Sequence, residues 1–367
     1  MTAAAALDRV FASFYARRPV TATFTGLHDH DDALPDWSPE GLRAAANEMR
    51  ALRGELDAAG RVADAEVRRF PDEVDLALAD GCLEIQIAEH EHRHFYRGNP
   101  ALWTGEAIFG IVSLVTRPFA PIDGRLSSAA ARLARIPAFL DEARRTLESS
   151  PAGWRSRALG ECQAAEILFD RGLPGWAAGS GASEATGRAF AEAATPARDA
   201  FRAFATWLQK GLAVDENPVA CGEPFFSLLV RRGHWCTTPL AALAEAAAAA
   251  LDEAHRDLEA RVRRVGAASW PEVEAKIAAA RPSRADYLPR FAREWQRFRA
   301  IADEYDLVSW PDAPIRYVPI PEHTREAAPL LYYLFYRSPA PFDPGATYDY
   351  VVSDDLNCPA NWLSGTF

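Results

Sequence analysis

The run His90-Glu91-His92-Arg93-His94 carries the most chemistry in the chain. On a helix, its spacing sets two imidazoles four residues apart on one face, with a carboxylate beside them. Two histidines so placed hold a zinc ion, and the glutamate takes a proton from the metal-bound water. A third protein ligand is needed, and no neighbouring residue offers one. Gly98-Asn99-Pro100 stops the helix at once, where a working site runs on toward its third ligand. The competing reading is a histidine-rich helix end, its rings paired with carboxylates or resting near the helix C-terminus. His28-Asp29-His30-Asp31-Asp32 also mixes imidazole with carboxylate. Consecutive loop residues converge poorly on one ion, however, and such loops are commonly solvated turns.

These side chains need a scaffold, and the sequence writes a helical one. Residues 3–17 gather Leu7, Val10, Phe11, Phe14 and Tyr15 on one face, and Pro19 follows. Ser38 and Pro39 open a helix that runs to about residue 60. Residues 70–97 read as one long helix carrying the histidines, and 104–116 are apolar almost all round, hence buried. Further helices are expected over 127–136, 137–147, 154–170 and 185–210, the last with Phe190, Phe201, Phe204 and Trp207 inward. Thr238-Pro239 opens an alanine-rich helix to about residue 265; a short one follows Ser269 and another spans 283–305.

Three extended segments close the chain: 315–320, the continuous apolar and aromatic run 330–336, and 348–352 after a Pro/Gly turn. The expected fold is mainly α, a large multi-helix body with a small sheet near the C-terminus. Its divisions are a helical subdomain over 1–171, a glycine-rich linker over 172–183, a second helical subdomain over 184–310 and a sheet segment over 311–367.

A net charge of −11 argues against nucleic acid as a partner. No run of eighteen apolar residues spans a membrane, and residues 1–9 lack the pattern of a secretory leader. Five scattered cysteines without a Cys-x-x-Cys pair fit a reducing compartment, so cytoplasm is the expected location. No Gly-x-Ser-x-Gly elbow or phosphate-binding glycine loop is present.

Several phrases together resemble domain-of-unknown-function family 885. They are Phe24-Thr-Gly-Leu-His28, Asp32-Ala-Leu-Pro-Asp-Trp-Ser-Pro-Glu40, Arg97-Gly-Asn-Pro100, Arg117-Pro-Phe-Ala-Pro121, Arg135-Ile-Pro-Ala-Phe-Leu140, Gly222-Glu-Pro-Phe-Phe226 and Val318-Pro-Ile-Pro321. The resemblance implies a zinc-metallopeptidase-like helical fold similar to carboxypeptidase Taq, whose zinc helix follows the small sheet. None of that family's zinc ligands has a matching position here, and the chain is expected to stop before that helix. His90, Glu91 and His94 fall in the N-terminal scaffold instead. The implied role is scaffold and substrate groove for a peptide-like substrate, inactive by itself, with zinc a cofactor of the complete fold and none for this chain. Two alternatives stay open: a complete zinc hydrolase using His90, Glu91 and His94, and a non-catalytic peptide-binding module. In the peptide-binding readings, Tyr348, Tyr350 and Val352 form the edge strand that pairs with an extended peptide.

Overall fold

Helices form where the periodic apolar faces and caps call for them. The computed structural model describes residues 2–63, 70–215, 220–280, 282–309, 315–331, 336–337, 340–342 and 348–352. The Thr2 hydroxyl accepts from the Ala5 N–H and starts α1 (Ala3–Arg17). Pro19 begins α2 (Pro19–Thr25), which ends on Gly26 at φ 95°, a conformation glycine adopts freely. Ser38 Oγ accepts from Gly41 N at 3.0 Å at the start of α3 (Pro39–Ala63). Then come α4 (Phe70–Glu91), α5 (Pro100–Thr116), α6 (Ile122–Thr146), β1 (Ser149–Pro151), α7 (Ala152–Ile167), α8 (Leu173–Gly179), α9 (Glu184–Lys210), β2 (Ala213–Asp215) and α10 (Glu223–Leu228). The mainly α class expected from the sequence is the class observed.

The chain divides into two compact units. The first comprises Met1–Thr237 with Glu322–Leu331 and Ala340–Asp343. Within it, α6 packs on α9 and α5, α3 packs on α4, and α7 packs on α9. Phe190, Phe201 and Phe204 are fully buried along α9. The glycine-rich stretch 172–183 includes α8, whose Leu173 and Ala177 are buried. The chain returns to this unit at α14 (Glu322–Arg325), where the His323 carbonyl lies 2.4 Å from the point a Cβ at Gly172 would occupy. Phe342 N also donates to Thr25 O at 2.9 Å.

The second unit takes Thr238–Pro321 with Tyr332–Pro339 and Pro344–Phe367. It holds α11 (Leu240–Arg264), α12 (Trp270–Ala279) and α13 (Arg284–Glu304), together with β3 (Ile315–Pro319), β4 (Tyr336–Arg337) and β5 (Tyr348–Val352). The sheet order is β3-β5-β4, parallel between β3 and β5 and antiparallel between β4 and β5. Phe291 of α13 stacks on Tyr317 of β3 at 5.1 Å.

Two helix boundaries differ from the sequence reading. α6 is one helix through Pro137, because Leu133, Ile136, Phe139 and Leu140 around the proline are all buried. Their packing outweighs the roughly 3 kcal/mol cost of an interior proline. α4 ends at Glu91, not Arg97, because Arg97 folds back and donates Nη1 to His90 O at 2.7 Å. Of the expected strand over 330–336, Ala328–Leu330 is a short 3₁₀ turn, Tyr336 belongs to β4, and 332–335 lie outside the described residues.

One side chain ties the first unit together. Arg132 of α6 is fully buried and donates to Ala33 O at 2.9 Å, Gly110 O at 2.8 Å, Pro19 O at 3.1 Å, His30 O at 3.1 Å and Thr23 Oγ1 at 2.7 Å. Burial pushes its guanidinium down to about 10, against the pull of Asp31, Glu106 and Asp32. Removing it takes one hydrogen bond from each of five acceptors; the Pro19, Gly110 and His30 carbonyls keep Thr23 Oγ1, Ser113 Oγ and Ala33 N as donors, and a buried acceptor left with none costs about 1–3 kcal/mol. We therefore expect Arg132→Met to lower the unfolding free energy by about 3 kcal/mol or more in urea titrations. The exposed Arg43→Ala should change it by no more than about 0.5 kcal/mol.

Candidate functional site

A group of partly buried charged side chains lies in the first unit where α1, α2, α4 and α5 meet. The junction of α1 and α2 supplies Arg17 and Arg18, α4 supplies Gln86, Glu89 and His90, the following turn supplies Tyr96, and α5 supplies Glu106. Trp103 of α5 fixes the turn by donating Nε1 to Tyr96 O at 3.0 Å. Arg18 rests over the Phe14 ring at 5.0 Å and reaches Glu89 at 3.9 Å. Arg17 Nε donates to Ser13 Oγ at 3.1 Å, and Ser13 Oγ donates to Glu48 at 2.7 Å. Among the described residues, Arg17 Nη1, Arg17 Nη2 and Gln86 Oε1 are buried with no hydrogen-bond partner.

Burial sets the acid–base character of this group. It pushes Glu106 up to about 7 although Arg18 and Arg132 oppose it. Glu89 moves in the same direction, again against Arg18. Tyr96 is pushed up to about 12, and His90 down to about 4 even though its Nδ1 donates to Gln86 O at 2.7 Å. A carboxyl poised near neutrality beside guanidinium groups can bind an amine or exchange a proton with a bound group.

The histidine motif takes a different form from the helical zinc site. His90 is in the last turn of α4, while His94 lies beyond the helix end, so the two imidazoles do not share a helical face. Glu91 faces solvent and pairs with Arg50. His92 and His94 stack on each other at 5.0 Å, and His94 meets the edge of Trp154 at 5.7 Å. These residues do not fit a zinc ion. Among the described residues, no group of three or more His, Cys, Asp or Glu is arranged to hold a metal. The loop His28 to Asp32 serves the fold: Thr23 Oγ1 donates to Asp31 at 2.5 Å and His28 Nδ1 to the same carboxylate at 2.9 Å. Asp31 is therefore buried and hydrogen-bonded, where the sequence pointed to a solvated turn.

Tyr348, Tyr350 and Val352 lie in the inner strand β5. Tyr350 pairs with Tyr317 on one side and Tyr336 on the other. The edge-strand expectation is thus corrected at Asp349 and Tyr350, which are paired on both sides, while Tyr348 and Val352 pair with β3 among the described residues. The outer strands are β3 and β4.

The interior charges were absent from the sequence reading. One signal was available: Glu106 is the lone charge in the otherwise apolar 104–116 segment. Arg17 and Arg18 looked like an ordinary basic helix end.

Fold and site define a mainly helical protein with a small mixed sheet and a charged interior in its larger unit. The chain belongs to the family described as bacterial protein of unknown function (DUF885), which it matches over residues 19–361. No functionally curated protein matches it. Its structure is similar to that of a candidate lipoprotein of unknown function from Shewanella oneidensis, with a TM-score of 0.70 and 17% identity. The match covers 100% of this chain and 68% of that one, and at this identity it shows the fold alone. Among the described residues, no helix is long and apolar enough to cross a membrane.

Glu106, partly buried, and His90, buried, pull stability in opposite directions. Glu106 holds its proton more tightly folded, near 7, than its ordinary 4.5, so its contribution falls as pH rises through that window. His90 holds its proton more weakly, near 4 against 6.5, so its contribution falls as pH drops through that window. Relative to wild type, Glu106→Gln should lose more stability on going from about pH 7 to 4.5, and His90→Gln less. Urea midpoints at the two pH values check both signs.

Proposed function

We propose that this chain supplies the helical scaffold and the substrate-facing polar surface of a metallopeptidase-like peptide hydrolase. In this reading the substrate-facing surface is the Arg17, Arg18, Glu89 and Glu106 group in the first unit, not the inner strand β5. One observation carries it: guanidinium and carboxylate groups lie together, partly buried, in a helical body, and among the described residues Arg17 keeps both Nη atoms without a hydrogen-bond partner. Burying such groups without full pairing costs free energy, and a ligand that completes the pairs recovers it. A peptide presents amide, ammonium and carboxylate groups, the complements of this set. In this proposal these residues bind and orient the substrate. Cysteines 82, 162, 221 and 236 are free, which supports a reducing compartment, and we place the protein in the cytoplasm.

Titration of short unstructured peptides, followed by calorimetry with chromatography of the mixture, tests the reading. We expect saturable binding without cleavage, weakened about tenfold in Arg18→Gln or Glu89→Gln. Absence of binding to any peptide, or affinity unchanged in both variants, contradicts it. Zinc-dependent cleavage lost in His94→Ala would favour the histidine motif instead.

A further inference from the structure

We propose that α11 pairs with the same helix of a second copy of this chain, antiparallel, through a seam of leucine against alanine. α11 and α6 are both 25 residues long, yet α6 buries ten residues and α11 only Val262. Residues 244–261 are exposed without a break, about five helical turns. Leu251 is 56% exposed and Leu258 40%, and Val265, just past the helix end, is 56% exposed. A helix in a protein owes most of its stability to packing of an apolar face, and α11 has that face without the packing.

The leucines and alanines are not scattered. In heptads, Ala244, Leu251 and Leu258 fall at one core position, and Ala247, Ala254 and Arg261 at the other. An antiparallel pair sets each kind of position against the other kind on the partner helix. Centred between Asp252 and Glu253, the pair places Leu251 on the partner's Ala254 and Leu258 on the partner's Ala247. Large meets small at each central layer, so the two backbones approach and the gaps close. Leu240 and the partner's Val265 close the ends. Arg261 meets the partner's Ala244, which leaves room for its stem while its Nε stays on Asp257 at 2.7 Å. Parallel pairing in register fails on charge, because Arg261 would face the partner's Arg261 within the seam. A face whose leucines are spaced to meet its own alanines is complementary to itself, and a second copy supplies that partner.

One helix pair is a small interface, so the association is expected at about 10 µM. Sedimentation velocity of the whole chain from about 1 to 200 µM reads it, with a monomer at the low end and a dimer at the high end. Leu251→Glu should weaken the association at least about tenfold, with the circular dichroism of the dilute chain unchanged because this side chain is exposed in the monomer. Ala244→Glu sets a carboxylate by the partner's Arg261 and should keep or tighten the dimer. Ala244→Arg sets a like charge there and should weaken it at least about tenfold. A chain that is monomeric at every concentration overturns the inference and leaves the face to another polypeptide. A dimer indifferent to Leu251→Glu also overturns it. Equal weakening by Ala244→Glu and Ala244→Arg overturns the antiparallel pairing.

Discussion

The first unit depends on one buried cation. Arg132 reaches from α6 to the start of α2, to the loop after it and to the middle of α5, and closes five acceptors with one guanidinium. Its charge is met through dipoles and neighbouring carboxylates more than through one direct ion pair. Thr23 passes the interaction to Asp31, and Asp31 holds His28, whose ring stacks on Phe119 at 3.8 Å. The Asp/His loop is therefore a structural clasp. Because the clasp fixes α2 against α5, it also fixes Arg18 at the start of one helix relative to Glu106 on the other.

The charged interior is expensive for a helical protein to keep. Glu106 occupies a helix whose other side chains are almost all apolar, and burial rather than any partner decides its proton affinity. Arg17 carries unspent donors next to a carboxylate already engaged elsewhere. Arg125 shows how a structural guanidinium is held: its Nε and Nη1 cap the end of α5 through the Val115, Arg117 and Ala120 carbonyls at 3.0–3.2 Å. Arg125 and Arg17 differ in this respect, and among the described residues Glu55 Oε2, Gln86 Oε1, Glu142 Oε2 and Arg144 Nε share with Arg17 the lack of a hydrogen-bond partner.

The helices and the strands 315–319 and 348–352 were legible because each is written in local periodicity and punctuation. Ser38 accepts the N-cap hydrogen bond expected of it, whereas α11 starts after Pro239 with no side-chain cap from Thr238. Features that depend on distant residues were not legible. Pro137 reads as a break until the buried faces on both sides of it are known. The histidine motif reads as one helical face until Arg97 turns back and Gly98 brings its backbone against Arg93 O, which would lie 2.3 Å from a Cβ at that position. Strand order was hidden for the same reason: β5 follows β4 in sequence, yet it inserts between β4 and β3. The interior site was the least legible part, because its members come from four helices and a turn.

The most direct measurement of the central claim is amide hydrogen exchange with and without saturating peptide. Protection concentrated at residues 13–18, 86–96 and 103–106 is the predicted result, since those backbones carry the charged interior. Protection confined to 315–319 and 348–352 would return recognition to the sheet and contradict the account.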